Sequence, residues 1–192
     1  PSARLLMAGC RFYRSEFEEA LTEIGRIKDE YPSAAIMDKV LFLEGRTLFK
    51  LVRYADVVSV LTDMTERFPT SVHAPEALYN IGDARYNLKQ YDAALETYRG
   101  LAVKYPDSDV ADWAWYSLGV TYQNTGDFEN AIEAFGNVFK LYPESGLKNI
   151  CRFKMGESYF RLEAYENAIT MMEDVINVVN DPDMVVRGYY LL

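Results

Sequence analysis

The side chains best suited to chemistry are few and scattered. The 192-residue chain holds one histidine, His73, and two cysteines, Cys10 and Cys151. A zinc site needs three or four Cys, His or carboxylate ligands converging on one point. His73 has no cysteine or second histidine at such spacing and reads as a solvated loop residue. Neither cysteine lies in a C-x-x-C element. Paired carboxylates such as Glu18-Glu19 and Glu173-Asp174 could in principle share general acid and base work. On a helical surface, however, the same charges serve solubility. No phosphate loop, G-x-G-x-x-G, G-x-S-x-G or H-E-x-x-H is present. The expectation is therefore a non-enzyme with no catalytic residue, no metal site and no cofactor. The net charge of −9, from 20 basic and 29 acidic residues, argues against a phosphate-tracking surface and hence against nucleic acid. No run approaches 18 uncharged apolar residues, so direct membrane insertion is not expected.

The aromatic residues are organised. Phe17, Tyr54, Tyr91, Phe128 and Tyr165 follow one another at steps of 37. Aromatics make up 14% of the chain, so five chance coincidences would occur about 5 times in 100,000. Other columns keep the step. Ala8, Gly45, Gly82, Gly119 and Gly156 lie nine before each aromatic, and Ala20, Val57, Ala94, Ala131 and Ala168 three after. Pro32, Pro69, Pro106 and Pro143 each follow an aromatic; the fifth copy departs, with Val179-Asn180 and a proline delayed to Pro182.

These columns need helices to position them. Tyr91, Ala94, Leu95, Tyr98, Leu101, Ala102 and Tyr105 follow i, i+3, i+4, i+7 spacing, one buried face of a helix. Pro106 cannot continue that helix. Asp107 and Ser108 are then expected to cap the next one. Gly126-Asp127 marks a turn before Phe128. Each unit is thus a helix A of about 16 residues and a helix B of about 14. No segment alternates with period two, so no sheet is expected. The glycine column is expected to face helix B, opposite the small residues at Ala94, Ala131 and Ala168, so that the axes approach to about 8 Å. Composition agrees: 49% apolar residues with 11 Gly and 7 Pro do not describe a disordered chain.

The combined columns resemble the tetratricopeptide repeat (TPR): an L-G element at Ile81-Gly82, Leu118-Gly119 and Met155-Gly156, an aromatic opening helix B, Ala three later, and a closing Pro. The family's usual period is three residues shorter, and the extra residues should lengthen helix A by about one turn. The resemblance implies an all-α, right-handed α-solenoid without sheet, one array over residues 1–192. Its units would be about 1–31 (partial), 32–68, 69–105, 106–142, 143–179 and 180–192 (partial). Tyr189-Tyr190-Leu191-Leu192 matches Trp115-Tyr116-Ser117-Leu118, so a piece of a longer protein is expected. Glu44, Arg85 and Arg152 replace apolar or aromatic residues of the pattern and are expected to mark looser packing. Cys10 and Cys151, about four repeats apart, are expected to be unpaired small core or groove residues. Leu5-Leu6-Met7-Ala8-Gly9-Cys10 is similar to a lipoprotein signal, but the nine residues before Cys10 are too few for one, and Ala8 holds the repeat register; a first helix A is expected. The wording Y-P-x-S-x-x-A at Tyr105–Ala111 resembles the repeats of bacterial envelope proteins, such as outer-membrane assembly lipoproteins and Tol-Pal coordinators. It implies a periplasmic setting, with a cytoplasmic one left open.

In this family the A helices line the concave side, and that face carries aromatic columns here. Phe42, Tyr79, Tyr116 and Phe153 lie three before the glycine column, with Tyr190 in the register of a sixth copy; Phe49, Tyr86, Gln123 and Phe160 lie four after it. Trp113 and Ile150 stand at the edge. Between them the polar residues change from copy to copy: Arg46, Asp83, Val120 and Glu157, then Lys50, Asn87, Asn124 and Arg161. The expected partner-binding set is Phe42, Arg46, Phe49, Tyr79, Asp83, Tyr86, Trp113, Tyr116, Asn124, Phe153, Glu157 and Phe160. The same aromatics could instead serve only packing between repeats. The lysine position of carboxylate-clamping repeats is aromatic in every full copy, so no clamp of that kind is expected. Net charge runs from −1 over residues 1–37 to −4 over 149–185, which favours a ligand with a basic end at the C-terminal half. The function expected is a scaffold binding a peptide or helix of a partner protein. The alternatives are a structural spacer or self-assembly array, associating through uncapped ends, and an accessory segment of an enzyme.

Overall fold

The computed structural model describes residues 1–178 and Val186. Apart from Val186, the sixth partial unit, with Tyr190 and Pro182, lies outside the described residues. Among those described there are ten helices and no strand, an all-α fold of helical hairpins. The chain divides into two compact units, Pro1–Thr97 and Tyr98–Leu192. The first contains α1 (Ser2–Tyr13), α2 (Phe17–Glu30), α3 (Met37–Lys50), α4 (Tyr54–Arg67) and α5 (Ala74–Asn87). The second contains α7 (Ala111–Thr125), α8 (Phe128–Leu141), α9 (Lys148–Arg161) and α10 (Tyr165–Val178); α6 (Tyr91–Lys104) holds the residues at which one unit ends and the next begins. Each of the five periodic aromatics is the first residue of a B helix, as its column requires. Leu5–Cys10 lies within α1, in which Ala8 is fully buried.

Within the first unit α1 packs on α2, α3 on α4, and α4 on α5; A helices also touch A helices, α1 with α3 and α3 with α5. The second unit repeats the scheme with α7–α8, α8–α9, α9–α10 and α7–α9. The small-residue columns make this possible. A Cβ placed on Gly45 would stand 2.3 Å from Leu61, on Gly119 2.5 Å from the Phe135 ring, and on Gly156 2.3 Å from Met172. The glycines therefore clear space for a large residue of helix B, seven positions after its opening aromatic. That is a sharper role than an opposition of small to small. Leu61, Phe135 and Met172 are all essentially fully buried, as are Ala20, Val57, Ala94 and Ala131.

The turn inside each hairpin is built by one device. Ser15, Val52, Lys89, Gly126 and Glu163, again 37 apart, adopt left-handed backbone with φ of 59° to 84°. The next residue's N–H reaches back five positions to the helix-A carbonyl: Glu16 to Arg11, Arg53 to Leu48, Gln90 to Arg85, Asp127 to Tyr122 and Ala164 to Tyr159, all at 2.9–3.0 Å. This is the Schellman closure, which satisfies carbonyls a helix end would leave unpaired. Only Gly126 is the residue type that such a φ favours.

Between hairpins the expectation of a longer helix A fails. A helices run 12 residues (α1), 14 (α3, α5, α9) or 15 (α7), not about 16. The extra residues form two successive tight turns after the proline. Ser71 N–H donates to Phe68 O and Ala74 N–H to Ser71 O, each at 3.0 Å; Ala34, Met37, Ser108, Ala111 and Ser145 behave alike. Asp107 and Ser108 consequently do not cap α7, whose N-cap residue is Val110 with no side-chain bond. The turn serine does different work. Ser71 Oγ donates to Asp38 Oδ2 at 2.8 Å and accepts from His73 N–H at 3.2 Å; Ser145 repeats this with Asp112 (2.6 Å) and Leu147 N–H (3.1 Å). These two serines tie their turns to the A helix of the preceding hairpin, whereas the Ser108 hydroxyl, at the same place in its turn, is buried without a hydrogen-bond partner.

The three departures from the apolar pattern are paired rather than loose. Lys28 Nζ donates to both Glu44 carboxylate oxygens at 2.8 Å. Arg85 donates to Thr97 Oγ1 at 2.6 Å, inside the α5–α6 hairpin. Arg152 lies over the Phe139 ring at 5.1 Å and pairs with Asp174 at 3.5 Å. A long cationic side chain can bury its stem and still find a partner for its head, so burial does not force a loss of packing.

Candidate protein-interaction face

The A-helix side of the first unit is an interlocked set of rings. Phe42, on α3, is buried and stacks on His73 at 4.6 Å with planes 13° apart. His73 is thus part of the packing, not a solvated loop residue. The Arg46 guanidinium sits over Phe12 (5.1 Å) and Phe42 (5.7 Å), joining α1 to α3. Cation–π contacts of this kind hold both rings and leave the guanidinium edge available. Tyr79, Asp83 and Tyr86 on α5 are half-buried.

In the second unit Trp113 is 45% exposed and meets Tyr116 edge-on at 6.2 Å; Tyr116 in turn leans on Phe135 at 5.9 Å. Phe153 is buried in a cluster with Met172 and Val175. Glu157 is bound by Lys154 at 2.7 Å, Asn124 is exposed, and Phe160 is 42% exposed. The proposed set therefore divides. Phe42 and Phe153 are core, while Trp113, Asn124 and Phe160 face outward.

The column four after the glycine has a structural job. Phe12 packs on Phe17, Phe49 on Tyr54, Tyr86 on Tyr91 and Phe160 on Tyr165, with centroids 5.2–5.7 Å apart and planes at 64–70°. These edge-to-face pairs pin the end of helix A to the start of helix B. In the fourth hairpin the column carries Gln123. Its Nε2 donates to Lys154 O at 2.9 Å and Ser158 Oγ at 2.8 Å, both on α9. Beside it lies a half-open cleft of about 390 Å³ lined by Gln123, Phe128, Glu157, Phe160 and Arg161. The cleft was not among the expected features, and the interruption of an aromatic column by one amide at Gln123 is its visible signal in the sequence.

Cys151 is buried and its thiol is not activated. Burial pushes the Cys151 thiol up to about 12, with Asp112 adding to the shift, so it stays neutral. Cys10 is exposed rather than buried in a core. Among the described residues no group of three or more His, Cys, Asp or Glu is placed to hold a metal, and no helix is long and apolar enough to cross a membrane.

Two models of the tetratricopeptide repeat match the sequence, one at residues 76–108 and 151–178, the other at 113–145. The chain belongs to the tetratricopeptide-repeat family. Solved structures with the same fold include a tetratricopeptide repeat protein from Parabacteroides merdae, 12% identical, with TM-score 0.81 over 99% of this chain and 72% of that one. MamA from Desulfovibrio magneticus, residues 41 to the end, is 22% identical with TM-score 0.76 over 95% and 96%. YrrB, described as a TPR protein with an unusual peptide-binding site, is 17% identical with TM-score 0.74 over 97% and 90%. No curated protein matches the chain by sequence. As a TPR protein the chain is a helical-repeat scaffold, and its 37-residue period is accounted for by the paired turns after each proline.

Proposed function

We propose that this TPR array, taken over residues 1–192, is a protein-interaction scaffold that holds a peptide or helix of a partner protein against its A helices. The observation that carries this is Trp113, nearly half exposed on an A helix and braced edge-on by Tyr116. Large aromatics in a rigid setting are what interface hot spots are made of. Extended repeat faces are also the surface that solenoids offer to ligands. Arg46, Asp83, Asn124 and Glu157 would supply the polar selectivity. YrrB, a protein of this fold, has a peptide-binding site. The reading assigns no catalytic role, and the Y-P-x-S-x-x-A wording makes the bacterial envelope the compartment to examine first.

The test is capture of a partner by the unaltered chain and by the double variant Trp113→Ala with Tyr116→Ala, each shown folded by circular dichroism. Capture should fall at least about tenfold, while Glu133→Ala, on an exposed B-helix position, should leave it within about twofold. Full capture by the folded double variant would remove the A-helix face from consideration. A second reading, self-association, is favoured by Leu6 and Met7 on α1, which are 72% and 48% exposed. Light scattering decides it: a concentration-independent monomer eliminates this reading.

A further inference from the structure

The fourth hairpin lacks a ring that the other four possess. Where Phe12, Phe49, Tyr86 and Phe160 each cover the aromatic that opens helix B, Gln123 is drawn to α9 by its two bonds to Lys154 O and Ser158 Oγ. Phe128 is left with no ring against it among the described residues, and the vacated space is part of the 390 Å³ cleft.

We propose that this cleft receives an aromatic side chain of a partner peptide, seated on Phe128 where the missing ring would lie. The inference rests on the scaffold reading and names one contact within it. The repeat itself supplies the template: four times in this chain a ring docks edge-to-face on the equivalent residue at 5.2–5.7 Å. The volume lies within the range of small ligand pockets and exceeds that of one aromatic side chain. Phe128 and Phe160 provide apolar walls. Gln123 uses both N–H groups on α9, so its Oε1 acceptor remains for the occupant. Glu157 adds carboxylate oxygen at the rim, and the exposed Arg161 guanidinium is positioned to lie over a bound ring. Acceptors at the rim select a ring that carries a donor, an indole N–H before a plain phenyl. Charge selects the flanks. Residues 98–192 hold 8 basic and 14 acidic side chains, net −6, so lysine or arginine beside the aromatic is complementary.

The probe is the capped tripeptide acetyl-Lys-Trp-Lys-amide, with acetyl-Lys-Leu-Lys-amide as its match without a ring, titrated against the whole chain and followed by NMR. The tryptophan peptide should give saturable shifts at Gln123, Phe128, Phe160 and Arg161, with a millimolar Kd and indole-to-Phe128 cross-relaxation. The leucine peptide should bind at least about tenfold more weakly. Gln123→Phe places the chain's own ring in the slot and should abolish binding while raising the denaturation midpoint. Absence of indole-to-Phe128 cross-relaxation in the unaltered protein overturns the proposal, whether or not Gln123→Phe folds. Equal binding of the two peptides, or undiminished binding to folded Gln123→Phe, overturns it as well. The scaffold reading fails separately: it falls if partner capture ignores Trp113 and Tyr116, and it stands if capture depends on them while Gln123→Phe changes nothing.

Discussion

The α3–α4 and α7–α8 hairpins follow one plan with different parts. Both bring a glycine of helix A against a buried large residue of helix B, Leu61 in one and the Phe135 ring in the other. Both turn through a left-handed residue, but that residue is Val52 in the first and Gly126 in the second. The next residue is Arg53, which makes no side-chain cap, against Asp127, whose carboxylate accepts from Asn130 N–H at 3.2 Å. The first hairpin closes with Phe49 on Tyr54, and the second leaves Phe128 uncovered beside Gln123. The α3–α4 hairpin thus tolerates a poor turn with a complete aromatic closure. The α7–α8 hairpin has a good turn and cap and an open slot. A repeat fold distributes stability over several small terms per unit, so one term can weaken while the hairpin persists.

The largest effect should come from Gly119→Ala. Its Cβ would meet the fully buried, rigid Phe135 ring at 2.5 Å, and overpacking should cost about 2 kcal/mol even after the gain in helix propensity. Gly156→Ala faces chiefly the flexible Met172 terminus and should stay within about 1 kcal/mol. Equal denaturant midpoints for the two variants would show that ring rigidity does not decide the cost. Next comes Gly126→Val, which forces a β-branched residue to φ 84° and should lose about 1–2 kcal/mol in the same assay. Asp127→Ala removes a used cap and should lose about 1 kcal/mol. Val52→Gly is the converse of the turn exchange. Relief of left-handed strain should raise stability by about 0.5 kcal/mol, reduced by the greater freedom of glycine in the unfolded chain. A loss on Val52→Gly would mean that the valine side chain contributes more than its backbone costs. The smallest effect belongs to Arg53→Ala, about 0.5 kcal/mol or less. That residue's bond to Asp56 at 2.7 Å joins two half-exposed side chains.

Much of the hairpin plan was legible because it is written in local periodicity. A helix repeats its buried face every three to four residues, so Tyr91, Ala94, Tyr98 and Leu101 reveal phase without knowledge of what they touch. Proline ends a helix wherever it falls, and the B-helix starts at Phe17 through Tyr165 follow from the same columns. The face of the A helices was legible in outline only. That Phe42 on α3 would be buried under His73 while Trp113 on α7 stays exposed does not follow from the presence of aromatics on A helices.

Periodicity, helix phase and the breaks between helices were therefore determined by the sequence alone, since each depends on backbone preference and burial summed over neighbouring residues. Tertiary structure decided the pairings between distant residues. Two turn serines bond aspartates 33 positions earlier, Ser71 to Asp38 and Ser145 to Asp112, instead of capping the helix that follows them, and Ser108, with Pro75 at that distance, bonds none. Gln123 reaches Ser158, 35 positions later, and so leaves its own hairpin unclosed. Each of these bonds competes with a local alternative of similar strength. Which one forms is decided by the distance at which the next hairpin docks, a quantity that side-chain size across the whole interface controls.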